Sequence, residues 1–350
     1  KRIMAFTTIN NGSLFMNTKL YTGDSASSRT IAGIGFEPSL TWNKPRTTAN
    51  DHQWVDAVRG GGKVISSNLA DAEYTAGNTI LSFNSDGFTC GDGASVNANG
   101  VDYVSWNWKA NGAGSANTDG SINTTYTSAN TTAGFSIIKY AGTGSSGTIG
   151  HGLSATPKVL IIKEIDGTES WRVWHRDAPN YSTTALSLNS SSAEFSQTNW
   201  IGTVDNSIIT LGTDSSINTS GNNYICYAFA EKQGFSKFSS YIGNGNDDGT
   251  FIYTGFKPSF IMIKATGLTE NWWIMDSKRS PSNVVQNLLQ ANLSNAELVG
   301  NVNFKFDMLS NGFKLRDVDG AYNSSGQNYI YMAFAEAPIV GTNNIPANAR

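Results

Sequence analysis

Apolar positions along the chain come in short runs, without long helical stripes. Val159-Leu-Ile-Ile162 and Phe260-Ile-Met-Ile263 each follow closely on a proline and end at a lysine. Their length and β-branched content predict buried strands, and the proline sits just ahead of each, where its missing N–H costs least. Three other segments alternate with a period of two. Val104/Trp106/Trp108, Ile225/Tyr227/Phe229 and Ile330/Met332/Phe334 share one side, the predicted core face. The opposite positions, Ser105/Asn107, Cys226/Ala228 and Tyr331/Ala333, are smaller or more polar. Helical patterning is nearly absent: only Val284 to Leu289 and three Asn-to-Glu hexamers described below suit a turn or two of helix.

The same landmarks recur three times. Tyr21-Thr-Gly23, Tyr140-Ala-Gly142 and Tyr241-Ile-Gly243 are each followed 17 residues after the tyrosine by a proline (Pro38, Pro157, Pro258) and 6 further by a lysine (Lys44, Lys163, Lys264). Each unit closes on Asn-x-x-Gly-x-x-Tyr (Asn97/Gly100/Tyr103, Asn218/Gly221/Tyr224, Asn323/Gly326/Tyr329), with an aromatic five residues on (Trp108, Phe229, Phe334). Between them lie the hexamers Asn68 to Glu73, Asn189 to Glu194 and Asn292 to Glu297, and Ser85-Asp-Gly-Phe88 recurs as Ser310-Asn-Gly-Phe313. With only 8 prolines in 350 residues, accident is a poor explanation. The Asn/Gly elements supply turn residues that tolerate positive φ.

The predicted fold is all-β, with three tandem homologous antiparallel β-sandwich domains of jelly-roll or lectin-like type and a barrel as the nearest alternative. A lead segment covers 1–19, repeat one 20–109, repeat two 134–232, repeat three 233–338 and a tail 339–350. The Ser/Thr/Asn/Gly-rich stretch 110–133 reads as a linker or an added edge strand. Because Glu231-Lys-Gln-Gly234 joins repeats two and three directly, those two are expected to be rigidly coupled while the first can swing.

Composition narrows the functional classes. Charged residues make up 15%, and Lys+Arg 24 against Asp+Glu 27 leaves a net charge of −3, so no basic field exists to attract nucleic acid or anionic lipid. No stretch has the ~18 apolar residues of a membrane span, the opening Lys1-Arg2-Ile-Met-Ala-Phe6 does not read as a secretory signal, and two cysteines cannot staple a secreted mini-fold. The expected partners exclude nucleic acid and membrane insertion, and the expected compartment is a reducing cytoplasm.

Catalytic constellations are sparse. His52, His151 and His175 do not pair by spacing and read as surface or strand-end histidines, with His175 aligned to Asp56 and Asp276 of the other repeats. Cys90 aligns with Leu211 and Leu315 and reads as a small core hydrophobe, and Cys226 replaces Tyr331. Asp247-Asp248 and Asp317/Asp319 sit in Gly/Asn turns as solvated acids, and Gly60-Gly-Gly62 and Gly142-Thr-Gly144 lack the context of a phosphate loop. No catalytic residue, metal or cofactor is expected. The aromatics are the better lead: Trp171, Trp174, Trp272 and Trp273 follow the Pro–Lys run, and if that segment is extended Trp272 and Trp273 point to opposite faces, one of them outward. Exposed tryptophan would stack on sugar rings or dock a neighbouring subunit; the same four residues also suit core packing or an inter-domain contact.

The triple unit, the run Gly249 to Lys264 and the ending Tyr331-Met-Ala-Phe-Ala-Glu-Ala-Pro338 resemble an uncharacterised family of virion-associated proteins from tailed bacteriophages. The resemblance covers nearly the whole chain. It implies a non-enzymatic particle component, tail-fibre or capsid-exterior, with no family site residues to carry over. On that reading the chain is a display or host-attachment protein, assembled in the host cytoplasm, placed on the virion exterior among other virion proteins, homo-oligomeric, and a binder of host-surface glycan if it is an adhesin. A carbohydrate-binding module or lectin is the second reading and a polysaccharide depolymerase the third.

Overall fold

The computed structural model describes residues 7–338; the first six residues of the lead segment and the tail 339–350 lie outside the described residues. The fold is all-β, built from several antiparallel sheets. Among the described residues the helical pieces are a 3-10 turn at Gly12–Leu14 and one turn at Ser215–Asn218. Val284 to Leu289 and the hexamers are not helical, because neighbouring chain takes their backbone groups: Val285 N–H donates to Phe306 O, Leu288 N–H to Leu298 O and Glu73 N–H to Ile165 O.

Each repeat contributes one large sheet with the same central order. In the first, Met16–Thr22, Asp102–Trp108, Leu40–Pro45 and Gln53–Asp56 lie side by side. In the second the corresponding strands are Phe135–Ala141, Asn223–Phe229, Val159–Glu164 and Arg172–His175; in the third they are Ser236–Ile242, Asn328–Pro338, Phe256–Ala265 and Trp273–Asp276. A three-stranded sheet accompanies each, such as Gly147–Gly150 with Ile208–Leu211 and Ile201–Val204. Apolar side chains of the two sheets fill the space between them, Leu160, Ile162 and Trp174 against Ile149, Ile209 and Leu211 in the middle repeat, which gives the packing β-sandwich character.

The register explains the tyrosine and glycine motifs. Tyr21 pairs with Tyr103, Tyr140 with Tyr224 and Tyr241 with Tyr329, and the rings stack with centroids 5.1, 5.3 and 5.1 Å apart. The second tyrosine of each pair donates its hydroxyl to a carbonyl nine residues upstream (Ala94, Ser215, Gly320) and accepts from an N–H five upstream (Ala98, Thr219, Ser324). Asn97, Asn218 and Asn323 accept from the backbone N–H of Asp24, Thr143 and Asn244, so the two motifs close one clasp. A Cβ on Gly23, Gly142 or Gly243 would come within 2.0, 2.3 or 2.4 Å of the Ala98, Thr219 or Ser324 carbonyl oxygen, all backbone atoms unable to swing aside. Gly142→Ala is therefore expected to destabilise by about 1–3 kcal/mol, read as a lowered urea midpoint at unchanged m-value.

The predicted one-sided core strands are buried on both faces. Every residue from Tyr103 to Trp108 and from Tyr224 to Phe229 is buried. Ser105/Asn107 and Cys226/Ala228 face into their own repeat, and the Trp106/Trp108 side meets the other repeats in a shared aromatic centre. There Phe334 lies 5.8 Å from Trp108, 6.0 Å from Phe229 and 6.1 Å from Phe260 between ring centroids. The aromatics five residues after the Tyr motif thus converge from all three repeats, and Trp42 packs beside Trp54 and Trp106 next to them.

The structure bears on the stretch 110–133 and on the place of the first repeat. Tyr126–Asn130, inside the low-complexity stretch, pairs along Phe135–Ala141, so this part of 110–133 is the added edge strand. The first repeat is not set apart by its linker but packs against both of the others. It shares the aromatic centre and is hydrogen bonded to both of the others, because its own large sheet has no other cover for its Trp106/Trp108 face.

Candidate functional site

The polar groups that could carry chemistry lie mainly where one repeat meets the next, and they recur in cyclic order. Asp56 accepts from the Tyr227 hydroxyl (2.7 Å) and is paired with Arg59 (2.6 Å), while Asp276 accepts from Trp106 Nε1 (3.0 Å) and is paired with Arg279 (2.5 Å). All four charged side chains are essentially inaccessible. Each arginine also reaches a glutamate ending a hexamer, Glu73 at 3.3 Å and Glu297 at 2.8 Å, and a strand carbonyl, Trp54 or Ile274. In the middle repeat the equivalent positions are His175 and Ala178. Met332 stands at the repeat position of Trp106 and Tyr227, and its side chain has no N–H or O–H to offer a carboxylate. There His175 Nε2 instead lies 3.3 Å from Tyr331 O, and Glu194 turns to Asn180 and Thr184.

A second set of ties recurs at the opposite end of the same strands, on the residue just before each begins. Trp171 Nε1–H donates to Ser66 O (2.9 Å) and Leu69 O (3.1 Å), Trp272 Nε1–H to Ser187 O (2.9 Å), and His52, at the same repeat position, lies 3.0 Å from Gln290 O and 3.2 Å from Leu293 O. The hexamer asparagines fix these residues by accepting their backbone N–H groups, Asn68 from His52, Asn189 from Trp171 and Asn292 from Trp272. Glu73, Glu194 and Glu297 complete each junction with a backbone bond to Ile165, Thr266 and Arg46. The Pro–Lys lysines end inside the same regions: Lys44, Lys163 and Lys264 hold carbonyl oxygens, and burial pulls each down to about 8.

These contacts correct the tryptophan expectation. Trp171, Trp174, Trp272 and Trp273 are all buried. Trp272 and Trp273 do point opposite ways, but each side is covered. Trp171 and Trp272 fill repeat junctions, whereas Trp174 packs on Tyr181 and Trp273 on Phe304 inside their own repeats. The segment carrying them lies between an adjacent repeat and its own small core, so neither face is left to solvent.

The histidines are likewise internal, not at the surface. His52 Nδ1 accepts from Trp42 Nε1 (2.7 Å), His151 Nδ1 from Leu153 N and His175 Nδ1 from Asp177 N, which assigns the ring proton to Nε2 in all three. Protonating Nδ1 would set one N–H against another. Burial lowers all three, His175 to about 4. Because these folded-state values lie below the unfolded ~6.5, the unfolded chain binds more protons between them, and stability is lost as the pH falls through that window. His175 alone is expected to remove about 2 kcal/mol between pH 6.5 and 5. Urea midpoints across that range should fall less steeply for His175→Asn than for the native chain; equal slopes would refute the assignment.

Cys90, Leu211 and Leu315 occupy buried core positions in their respective repeats, as the alignment expects, and burial raises the Cys90 thiol to about 11 and Cys226 further. Asp248 pairs with Lys314 at the surface and Asp319 caps the turn at Ala321. Among the described residues no group of three His, Cys, Asp or Glu is placed to hold a metal ion, and no helix is long and apolar enough to cross a membrane.

One surface feature escaped the sequence reading. An open groove of about 390 Å³ runs between the chain entering the third repeat (Glu231, Gln233, Gly234, Ser236, Lys237) and the turn Tyr253-Thr-Gly255. Tyr253 is 55% exposed, one of the two outward residues of the alternating strand Phe251–Tyr253, whose middle residue, Ile252, is buried. That alternation was the available signal.

The fold and these junctions define an all-β chain whose aligned polar residues bind its repeats to one another. Residues 11–338 match the family described as a domain of unknown function (DUF7483), and the chain belongs to it. No curated protein and no solved structure matches.

Proposed function

We propose that this chain is a non-enzymatic exterior structural protein of a tailed-phage virion, made of three tandem homologous sandwich domains of jelly-roll or lectin-like type, with a display or host-attachment role. Its partners are other virion proteins and further copies of itself, and host-surface glycan where it acts as an adhesin; nucleic acid and membrane insertion are not part of the role. The observation that carries the reading is the use made of the reactive side chains. All three histidines and the buried carboxylates Asp56 and Asp276 are enclosed and bonded within the chain, and the repeat motifs serve its clasps and junctions. What such a chain presents to a partner is a rigid, weakly charged surface. The resemblance to phage virion proteins supplies the setting.

An electron-microscopy map of the source particle tests it. Density for the chain on the outside, contacting other particle proteins, is expected; an interior position, or absence from purified particles, would overturn the reading. The lectin alternative cannot rest on tryptophan stacking, since all four candidates are internal.

A further inference from the structure

We propose that the groove beside Tyr253 binds an uncharged pyranose ring of a glycan, with the tyrosine as its stacking platform. The volume, about 390 Å³, falls within the ~300–1,000 Å³ of small-molecule clefts. Tyr253 reaches back toward Gly255, its hydroxyl, Cε1 and Cζ 3.7, 3.8 and 3.9 Å from where a side chain would begin, and Gly255 has φ +84°, a conformation that favours glycine. The hydroxyl end of the ring is therefore steadied close to the chain while more than half the residue stays in solvent. An aromatic face of this kind takes the C–H face of a sugar at little entropy cost.

The rim supplies both hydrogen-bonding partners that a hydroxyl needs. Glu231 is held in place by accepting Phe238 N–H (2.8 Å) and by Lys158 and Lys237 at 3.3 and 3.4 Å, and Lys237 remains 34% exposed with protons to donate. Lys158 is also matched by Asp177, so two cations face two anions and no net field selects a phosphate or an amine. A peptide strand is a poorer occupant. The equivalent edge of the middle repeat, Phe135–Ala141, is covered by Tyr126–Asn130, but at Ser236–Ile242 the Phe238 N–H is taken by Glu231 and the Ser236 N–H by Lys232 O. The positions equivalent to Tyr253 are Gly33 and Gly152, so the other two repeats carry no aromatic ring there.

Saturation-transfer NMR on the full chain with the methyl pyranosides of glucose, galactose, mannose and N-acetylglucosamine tests the proposal. Transfer to ring C–H protons is expected for at least one sugar, at a Kd of about 1 mM. Tyr253→Ala should weaken binding at least tenfold, Tyr253→Phe by less than threefold and Lys237→Ala by three- to tenfold, with the melting temperature of each variant unchanged. Phe251→Ala, on the same strand, should leave binding as it is. No transfer from any of the four sugars, or transfer unaltered by Tyr253→Ala, overturns the proposal. This inference rests on the glycan part of the proposed function, yet the two fail separately: the particle map is indifferent to sugar binding, and the saturation-transfer experiment is indifferent to where the chain sits.

Discussion

Replacing Arg279 with alanine is expected to destabilise the protein by about 3–5 kcal/mol, because it leaves the Asp276 carboxylate buried without its cation and takes from Glu297 one of the two that hold it. Asp276 and Glu297 are both essentially inaccessible and both bonded to this guanidinium. Arg46 still reaches Glu297 at 2.7 Å, but nothing comparable remains for Asp276 beyond Trp106 Nε1–H and local N–H groups. The guanidinium also lies 5.5 Å from the Trp106 ring centroid, so the loss reaches into the first repeat. A urea titration of Arg279→Ala measures the cost, and Arg279→Lys should recover only part of it, since an ammonium cannot span both carboxylates and the Ile274 carbonyl together. A loss under 1 kcal/mol for the alanine variant would mean that this junction is open to water. Asp276→Asn/Arg279→Ala, which removes charge on both sides, should cost less than Arg279→Ala alone.

Phe334→Ala is the second large effect, about 3–5 kcal/mol from lost burial and the cavity left behind. This ring touches Trp108, Phe229, Phe235, Phe238 and Phe260, residues drawn from all three repeats. Removing it therefore loosens the three junctions at once. Unfolding followed by near-ultraviolet circular dichroism should show one cooperative transition in the native chain, displaced to lower denaturant in the variant. If the first repeat melted separately in the native chain, the shared centre could not be what holds it.

The sequence made the periodicity of the sheets plain because strand alternation and proline, glycine and asparagine placement are local physics. The same triplicated residues marked the clasps: Tyr21, Gly23, Asn97 and Tyr103 all fall within one unit, so their partnership follows from repetition. What faces what across repeats was not readable in this way. Trp171 and Trp272 bond to carbonyls of residues 102 and 85 positions away, and a donor that satisfies itself on another repeat's backbone leaves no pattern in its own neighbourhood. The alignment of His175 with Asp56 and Asp276 was visible, but its link to Met332, which stands where the other repeats carry a donor, needed the contacts between repeats. Tyr253 was hidden differently, since exposure on a short strand is decided by the loop beneath it, here Gly255.

The cyclic order of the junctions sets the arithmetic of the whole molecule. In a linear array each unit leans only on its neighbours in the chain; here Asp276 of the third repeat is satisfied by Trp106 of the first, so each repeat is tied to both others and taking one out would open two junctions. A protease that severs one junction-forming segment therefore threatens the whole of the described structure, not a removable part.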